Sequence, residues 1–337
     1  MKHFYRAARA LCWRRIVPAA LAALAQVAPA FAQEVWKPTR TVTFIVPNAA
    51  AGTGDRAARD IQRILLAQRL VDVPIVIVNR AGGNGTIALN QLRASAGDAH
   101  VLLIMNSITL TAHIAGFTPY GHADFTPLAL MVDEYFGINV RPDSSVRSAR
   151  DLLDRLKKSA DALTFGSASV TGNNYLSMLT ALKKGGVDVK RVKTVSFAGG
   201  SEITLALLGG HVDVISTGLG NMVAHLREGR MRTLVITGPR RMGGAFVDVP
   251  TWKETGIDTV ASSWRGVMGA KDLTPAQVAF WEGVLRRVIQ TEEWKQDLRE
   301  NYWVSNYASA TETRRRLDAE YAEFRQIMGD LGMAKVK

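Results

Sequence analysis

Three loops rich in small residues could bind an anion through their main-chain amides. They cover residues 47–54, 166–174 and 198–202, and each follows a strand-like apolar run and precedes a helical pattern. A helix N-terminus presents unpaired N–H groups and a partial positive charge, so a carboxylate or phosphate is stabilised there without lysine or arginine. Glycine and serine in any one loop could merely form a tight turn. Three loops of one design favour binding.

The residues expected to contact this anion lie in these loops or at the ends of nearby strands. In the first half of the chain they are the backbones of Ala51, Gly52 and Thr53, with Asn106 and Ser107, and in the second half they are Ser167, Ser169, Thr171, Gly172 and Asn173, with Gly199, Gly200 and Thr217. A hydrogen bond to a charged group contributes roughly 1.5–3 kcal/mol, so four or five would reach the roughly 8 kcal/mol of micromolar binding. That affinity requires no metal and no cofactor.

Charged residues near the first loop have other expected roles. Asp55 should cap or orient its own loop, because its charge would repel an anion. Arg56 and Arg59 are either surface charges or a source of positive potential, and the sequence leaves both interpretations open.

The first residues indicate export. Residues 1–15 carry five lysine or arginine residues and no acidic residue, and an Ala-rich apolar run then ends in Ala30-Phe31-Ala32. This pattern is typical of a secretory signal peptide cleaved after Ala32. A membrane anchor would need about 20 apolar residues without the prolines found here. We expect a periplasmic protein, and the Arg14-Arg15 pair leaves both Sec and twin-arginine export open.

Composition narrows the classes of partner. The formal charge of +12 falls by five when residues 1–32 are removed, and the single cysteine, Cys12, is removed with them. The mature chain therefore has no thiol for a disulfide, a metal or catalysis. Because the remaining basic residues are spread along the chain, they favour small anions and not nucleic acid.

One loop also resembles an enzyme motif. The run from Gly52 to Ala57 fits G-x-G-x-x-A between a strand and a helix, which is the dinucleotide fingerprint, so an exported NAD(P)-dependent oxidoreductase is an alternative. Asn79-Arg80 stands where that fingerprint needs an acidic residue for the ribose. The sequence has no G-x-S-x-G or H-E-x-x-H motif, and its histidines lack metal-ligand spacing.

Strand-like runs that alternate with helical patterns predict an α/β fold with mainly parallel sheets. Predicted strands cover residues 41–46, 74–78, 101–105, 163–165, 194–197, 212–217 and 233–237, and predicted helices begin at Asp55, near Thr86, at Ser148 and near Ser309. Beyond residue 237 the pattern predicts only helices, including one over 275–290. The tryptophans at 252, 264, 281, 294 and 303 are assigned to the core. Asp133-Glu134 ends an apolar strand, and a surface, capping or hinge role is expected for this pair and for the histidines.

A set of short motifs occurs in a fixed order along nearly the whole mature chain. They are Ile45-Val46-Pro47 with the loop to Asp55, Asn79 to Gly85, Asp124 to Ala129, Phe197 to Gly200, Gly229 to Leu234, Asp248 to Thr251 with Glu254 and Gly256, and Ser263 to Gly266. In their order and spacing, these motifs resemble the solute receptors of the tripartite tricarboxylate transporters, also called Bug proteins.

The resemblance implies a type II periplasmic-binding-protein fold, in which two lobes, each with a mainly parallel sheet flanked by helices, are joined by two crossover strands near 134–142 and 232–240. Lobe one would hold residues 33–138 and 236–337, and lobe two residues 139–235. A carboxylate would bind between them in a non-enzymatic, monomeric receptor that delivers it to the membrane subunits of such a transporter. A ligand-sensing envelope protein is a further alternative.

The first loop departs from the family pattern. Ala51 and Thr53 stand where that pattern has glycines. Alanine tolerates positive φ poorly, so the loop could be shaped differently and accept a different carboxylate.

Overall fold

The structure is a computed structural model that describes residues 36–50, 52–167, 169–197 and 200–336, without the side chain of Ser201. The predicted signal peptide, residues 1–32, and the predicted site residues Ala51 and Gly199 lie outside these residues. The strands and helices belong to the compact unit Lys37–Lys337.

Strands and helices alternate along the chain, as the sequence predicts. The strands are β1 Val42–Val46, β2 Ile75–Asn79, β3 Val101–Met105, β4 Thr126–Val140, β5 Thr164–Ser167, β6 Lys193–Ser196, β7 Val214–Gly218, β8 Arg232–Ile236, β9 Ser262–Gly269 and β10 Trp303–Ala308. The helices are α1 Thr53–Ala67, α2 Thr86–Arg93, α3 Ile108–Ile114, α4 Ala149–Lys158, α5 Asn173–Lys184, α6 Gly200–Leu208, α7 Val223–Arg227, α8 Pro275–Val288, α9 Glu292–Asn301 and α10 Ala310–Asp330.

All ten described strands belong to one hydrogen-bonded sheet. Its order is β2-β1-β3-β9-β4-β7-β5-β6, with β8 and β10 also paired to β4. Strands β1, β2 and β3 are parallel to one another, and we call them the first parallel set. Strands β5, β6 and β7 are likewise parallel and form the second parallel set. The predicted α/β class is confirmed, with parallel pairing inside each set and antiparallel pairing at β4 and β9.

Strand β4 connects the two parallel sets. Its first part pairs with β9, from Thr126 to Tyr135, and its last part pairs with β7 and β8, from Phe136 to Val140. The expectation that this strand ends at Asp133-Glu134 is wrong, because the strand continues to Val140. The surface role expected for the pair is also wrong, since both side chains are buried. An acidic pair can lie inside a buried strand because each carboxylate has a cationic partner, Arg316 for Asp133 and Arg265 for Glu134.

The region beyond residue 237 contains two strands that the sequence pattern missed. Strand β9 has serine, tryptophan, arginine and glycine where β-branched residues would have signalled a strand, yet it lies between β3 and β4. Gly266 permits this close pairing, because a Cβ there would collide with the Ala129 carbonyl oxygen and the Met105 side chain. Strand β10 lies between two helices and pairs with β4. The predicted helices α8 and α10 are confirmed.

Among the described residues, the core includes three apolar clusters around the strands. One includes Leu103, Trp264 and Leu317, a second includes Phe165 and Trp252, and a third includes Ile203 and Phe246. The five tryptophans assigned to the core are all buried, which confirms that prediction. His122 is also buried, against the expected surface role, because its ring packs on Tyr321 and contacts Asp318. No helix among the described residues has the length and apolar character to span a membrane.

Replacing Asp60 with asparagine is expected to stabilise the protein near neutral pH. Burial and then the charge of Asp297 raise the pKa of Asp60 from 3.8 to about 6, although Arg63 opposes the shift. Because the folded protein holds this proton more tightly, the stability it contributes is present below about pH 4 and is lost as the pH rises through about 6. Urea unfolding of Asp60→Asn should show a gain of about 1–2 kcal/mol near pH 7.5 and none near pH 4, less than the full shift implies because the side chain is partly exposed.

The matched control is Asp154→Asn, which changes an exposed aspartate of α4. It should leave the free energy of unfolding unchanged at both pH values. An equal gain for Asp60→Asn at both pH values would contradict the assignment.

Candidate functional site

The two parallel sets approach each other head-on along β4. Strands β3 and β4 run in the same direction, because both are antiparallel to β9. The last residue of β3, Met105, lies level with Leu130 of β4, because both residues pair with Gly266. Strand β7 runs against β4, and its last residue, Gly218, pairs with Phe136. The carboxyl ends of the two sets therefore face each other across six residues of β4, about 20 Å. We call this region the gap, and the strands that precede the three predicted loops, β1, β5 and β6, end at its edges.

Side chains of the first parallel set fix the first loop. Asn106, after β3, donates through Nδ2 to Oδ1 of Asn48 at 3.1 Å. Asn79, at the end of β2, donates through Nδ2 to the Asn48 carbonyl oxygen at 3.1 Å and to Oδ1 of Asp55 at 3.0 Å. Asp55 is buried and also accepts from Arg59 at 2.9 Å. Asp55 thus orients its own loop, as the sequence predicts, and Arg59 serves as its counterion.

The described part of this loop leads into α1 without backbone strain. Gly52 precedes α1 with φ −77° and ψ 170°. Positive φ among the described non-glycine residues occurs only at Arg69, Asn84, Asp272 and Tyr302. Thr53 therefore fits its position in the helix, and the concern about positive φ does not apply to it.

The second loop is shaped by its own hydroxyl groups. Ser167 donates through Oγ to the Ser169 carbonyl oxygen at 2.9 Å, and the hydroxyls of Ser169 and Thr171 are 3.2 Å apart. The N–H of Gly172 donates to the Ser169 carbonyl oxygen at 3.0 Å, immediately before α5 begins at Asn173. Of the predicted residues in this loop, the hydroxyl-bearing ones shape it, and Gly172 and Asn173 form the start of a helix.

The other predicted residues lie at the ends of neighbouring elements. Ser107 directly precedes α3 and is buried, and Gly200 is the first residue of α6 and exposed. Thr217 lies inside β7, where it pairs with Gly137, and not in a loop.

Three helices that follow glycines, α1, α2 and α5, lack an N-cap side chain bonded to their first turn among the described residues. Helix α3, which follows β3, differs, because Oδ1 of Asn106 accepts from the N–H of Ile108 at 3.0 Å. Helices α4, α8, α9 and α10 are each capped by a serine or threonine hydroxyl. A cap of this kind contributes about 1 kcal/mol, so its absence leaves main-chain N–H groups at the gap without that partner.

Two contacts among the described residues involve β9 in the gap. Asn173 donates through Nδ2 to the carbonyl oxygen of Ser262 in β9. Glu134 of β4 accepts from Arg265 of β9 at 3.2 Å, and its carboxylate lies where a Cβ on Gly218 would be. Gly218 therefore permits the end of β7 to approach this ion pair.

The Glu134–Arg265 pair was not among the predicted site residues. Burial raises the pKa of Glu134, against the opposing charges of Arg265 and Arg56 and a hydrogen bond from Trp303. Burial likewise lowers the pKa of Arg265, and Glu134 opposes that shift. Two features of the sequence could have identified this pair. Glu134 is an acidic residue inside an apolar run, and Arg265 is a basic residue between Trp264 and Gly266.

Other features of the described chain lie outside the predicted site. A surface pocket of about 550 Å³ is lined by α8 and by the residue Leu273 before it, with Pro275, Glu282 and Arg286 among the lining residues. None of the predicted site residues lines this pocket. Within the described ranges, no three histidine, cysteine, aspartate or glutamate side chains are grouped to hold a metal ion.

Comparison with known proteins places these observations in a family. Residues 57–333 match the model of the tripartite tricarboxylate transporter family receptor. The UPF0065 protein of the gbd 5′ region of Cupriavidus necator is 26% identical over 330 residues, 95% of this chain and 97% of that protein. Two solved structures from Rhodopseudomonas palustris share the fold at 24% identity. They are Rpa4515 with adipate (TM-score 0.79, 88% of this chain and 99% of that chain) and MatC with bound malate (TM-score 0.76, 86% and 99%).

Replacing Asn79 with alanine is expected to destabilise the first loop. The change removes the donor shared by the Asn48 carbonyl oxygen and the buried Asp55 carboxylate. The free energy of unfolding should fall by about 1–3 kcal/mol, because a buried charged acceptor loses a partner. The control Asn90→Ala alters an exposed asparagine of α2 and should be neutral or slightly stabilising. Urea unfolding curves that place both variants at the same stability would contradict the role of Asn79.

Proposed function

This chain belongs to the family of tripartite tricarboxylate transporter receptors, and on that premise we propose that it captures a small carboxylate in the gap through main-chain amides. The family consists of receptors, so the chain is a solute-binding protein and not an enzyme. This argues against the oxidoreductase alternative for the Gly52-Thr53-Gly54 loop.

The proposal is supported by one observation, which is that a helix without an N-cap side chain begins after a strand at each edge of the gap. Helices α1 and α5 follow Gly52 and Gly172, where no N-cap side chain competes with a ligand. A carboxylate held by the first N–H groups of both helices would gain the partial positive charge of both dipoles. The ligand contacts proposed are those expected from the sequence, with the hydroxyl groups of the second loop acting mainly by shaping it.

The structural relatives support a carboxylate as the ligand class. MatC is bound to malate and Rpa4515 to adipate, which are both small carboxylates. Charge-assisted hydrogen bonds of roughly 1.5–3 kcal/mol each would give micromolar affinity from four or five amides.

We also propose that the two parallel sets belong to two lobes that close on the ligand. Lobe one would comprise residues 33–138 and 236–337, and lobe two residues 139–235, with β4 and β8 crossing between them. The hydrogen bond from Asn173 to the Ser262 carbonyl oxygen joins these lobes and would favour closure. Asn173 would then act as a latch between lobes besides presenting its backbone amide.

The proposed setting is the periplasm. A monomer released from its signal peptide after Ala32 would deliver the carboxylate to the membrane subunits of a tripartite tricarboxylate transporter. This step rests on the family and on the N-terminal sequence pattern.

A thermal-shift screen tests the proposed ligand class. The purified mature chain is mixed with di- and tricarboxylates, aromatic acids and acidic amino acids. A ligand at about 100 times its dissociation constant adds about 2.7 kcal/mol of stability, so at least one carboxylate should raise the melting temperature by several degrees. Failure of every carboxylate to do so would overturn the proposal.

A proline at Thr53 tests the role of the backbone. Proline is tolerated at the first helical position, as Pro275 of α8 illustrates, and the extended Gly52 suits a residue before proline. Thr53→Pro therefore removes one N–H group from α1 while the helix is retained. Titration calorimetry should show a dissociation constant raised about 10- to 100-fold.

Two controls separate the amide from other effects. Thr53→Ala keeps the N–H group and should bind as the unmodified chain does. Ala310→Pro makes the same change at the first position of α10, where the N–H already donates to Oε2 of Glu282 at 3.0 Å, and should not alter binding. Equal affinity of Thr53→Pro and the unmodified chain would refute a contact by this amide.

A further inference from the structure

The Glu134–Arg265 ion pair lies where the two parallel sets meet. Arg265 is adjacent to Gly266, which pairs with the last residue of β3, and the predicted site residue Asn106 follows directly. The carboxylate of Glu134 lies against Gly218, the last residue of β7. The pair therefore connects the carboxyl ends of both parallel sets at the gap.

Arg265 is buried without full use of its hydrogen-bonding capacity. The residue is only 9% exposed. Its Nη1 group donates to Oγ of Ser263 and to the Trp264 carbonyl oxygen, and Nη2 donates to Glu134 at 3.2 Å. Among the described residues, the buried Nε–H has no hydrogen-bond partner.

The Arg265 guanidinium makes one of the two parallel hydrogen bonds with which arginine binds a carboxylate. A guanidinium binds a carboxylate best through two parallel N–H···O bonds, often from Nε and one Nη. Glu134 takes only the Nη2 bond, so the Nε–Nη2 edge is half occupied. An unpaired buried donor is costly, and a buried ion pair is weak as a stabilising device. A purely structural role accounts poorly for both features.

A second ion pair of β4 provides a contrast. Arg316 of α10 donates through Nη2 to Asp133 at 3.0 Å and through Nε to Glu320 at 2.7 Å. Both its Nε and its Nη2 are therefore paired, as in a structural pair. Asp133 and Glu134 are neighbours on one strand, and of their two arginines only Arg265 has a buried Nε–H without a partner among the described residues.

We propose that Arg265 is a specificity-determining residue that receives the second carboxylate of a dicarboxylate ligand, and that Glu134 holds the guanidinium until the ligand arrives. The inference rests on the proposed function, in which main-chain amides bind the first carboxylate. In the bound state the Glu134 carboxylate and the second carboxylate of the ligand both contact the Arg265 guanidinium. Glu134 therefore weakens the attraction between Arg265 and the ligand. The ligand class narrows to small diacids.

Calorimetry with matched acids tests this role. The probes are a diacid and a monoacid of the same chain length, adipate with hexanoate and succinate with butyrate. The unmodified chain should prefer one diacid about 10- to 100-fold over its monoacid. Arg265→Lys keeps the positive charge but loses the two parallel N–H donors, Nε and Nη2. The preference for the diacid should therefore fall to about 3-fold or less while the monoacid affinity is retained. The control Arg316→Lys should keep the full preference.

Glu134→Gln provides a second, independent test. If Glu134 competes with the ligand, its removal should tighten diacid binding about 3- to 10-fold and leave the monoacid unchanged. A structural pair predicts weaker or unchanged binding of both acids. If Arg265→Lys does not fold, this variant alone decides the matter.

Three results would overturn the inference. They are an unmodified chain that binds carboxylates without preferring the diacid, an Arg265→Lys variant that keeps the preference, and a Glu134→Gln variant that does not tighten diacid binding. An unmodified chain that binds no carboxylate would overturn the proposed function as well, so the two failures are distinguishable.

Discussion

Strand β4 is the constraint on which the rest of the structure depends. A single continuous strand pairs with antiparallel β9 along its first part and with antiparallel β7 and β8 along its last part. Since each parallel set has a fixed direction relative to β4, their carboxyl ends must face each other. Loops and helix starts from distant parts of the sequence therefore meet in one region without any direct signal for that contact in the sequence.

Local patterns were sufficient to predict most strands and helices but not the continuity of β4 or the presence of β9. Apolar β-branched runs such as β1 and β3 are recognisable because they are buried on both faces. Strand β9 instead carries Arg265 and Gly266, each of which is explained only by partners on other strands. Likewise, Asp133 and Glu134 suggested a strand end because their cationic partners lie more than 130 residues away.

The candidate loops could be predicted because a strand, a small-residue loop and a helix form a local unit. Their supports could not, since Asn79 and Asn106 reach Asn48 from separate strands. The predicted hydroxyls of Ser167, Ser169 and Thr171 bond within their own loop, so residue type alone did not distinguish a residue that shapes the loop from one that contacts a ligand. The lobe boundaries and the ligand contacts stay predictions.

The glycines that precede α1 and α5 have an evolutionary consequence. A main-chain N–H persists through every substitution except proline, so anion capture by such groups would survive extensive sequence drift. Side chains around the gap would then be free to change ligand choice without loss of the basic affinity. A scaffold of this kind can diversify into many receptors, which is consistent with solved structures that share the fold although only 24% of their residues are identical.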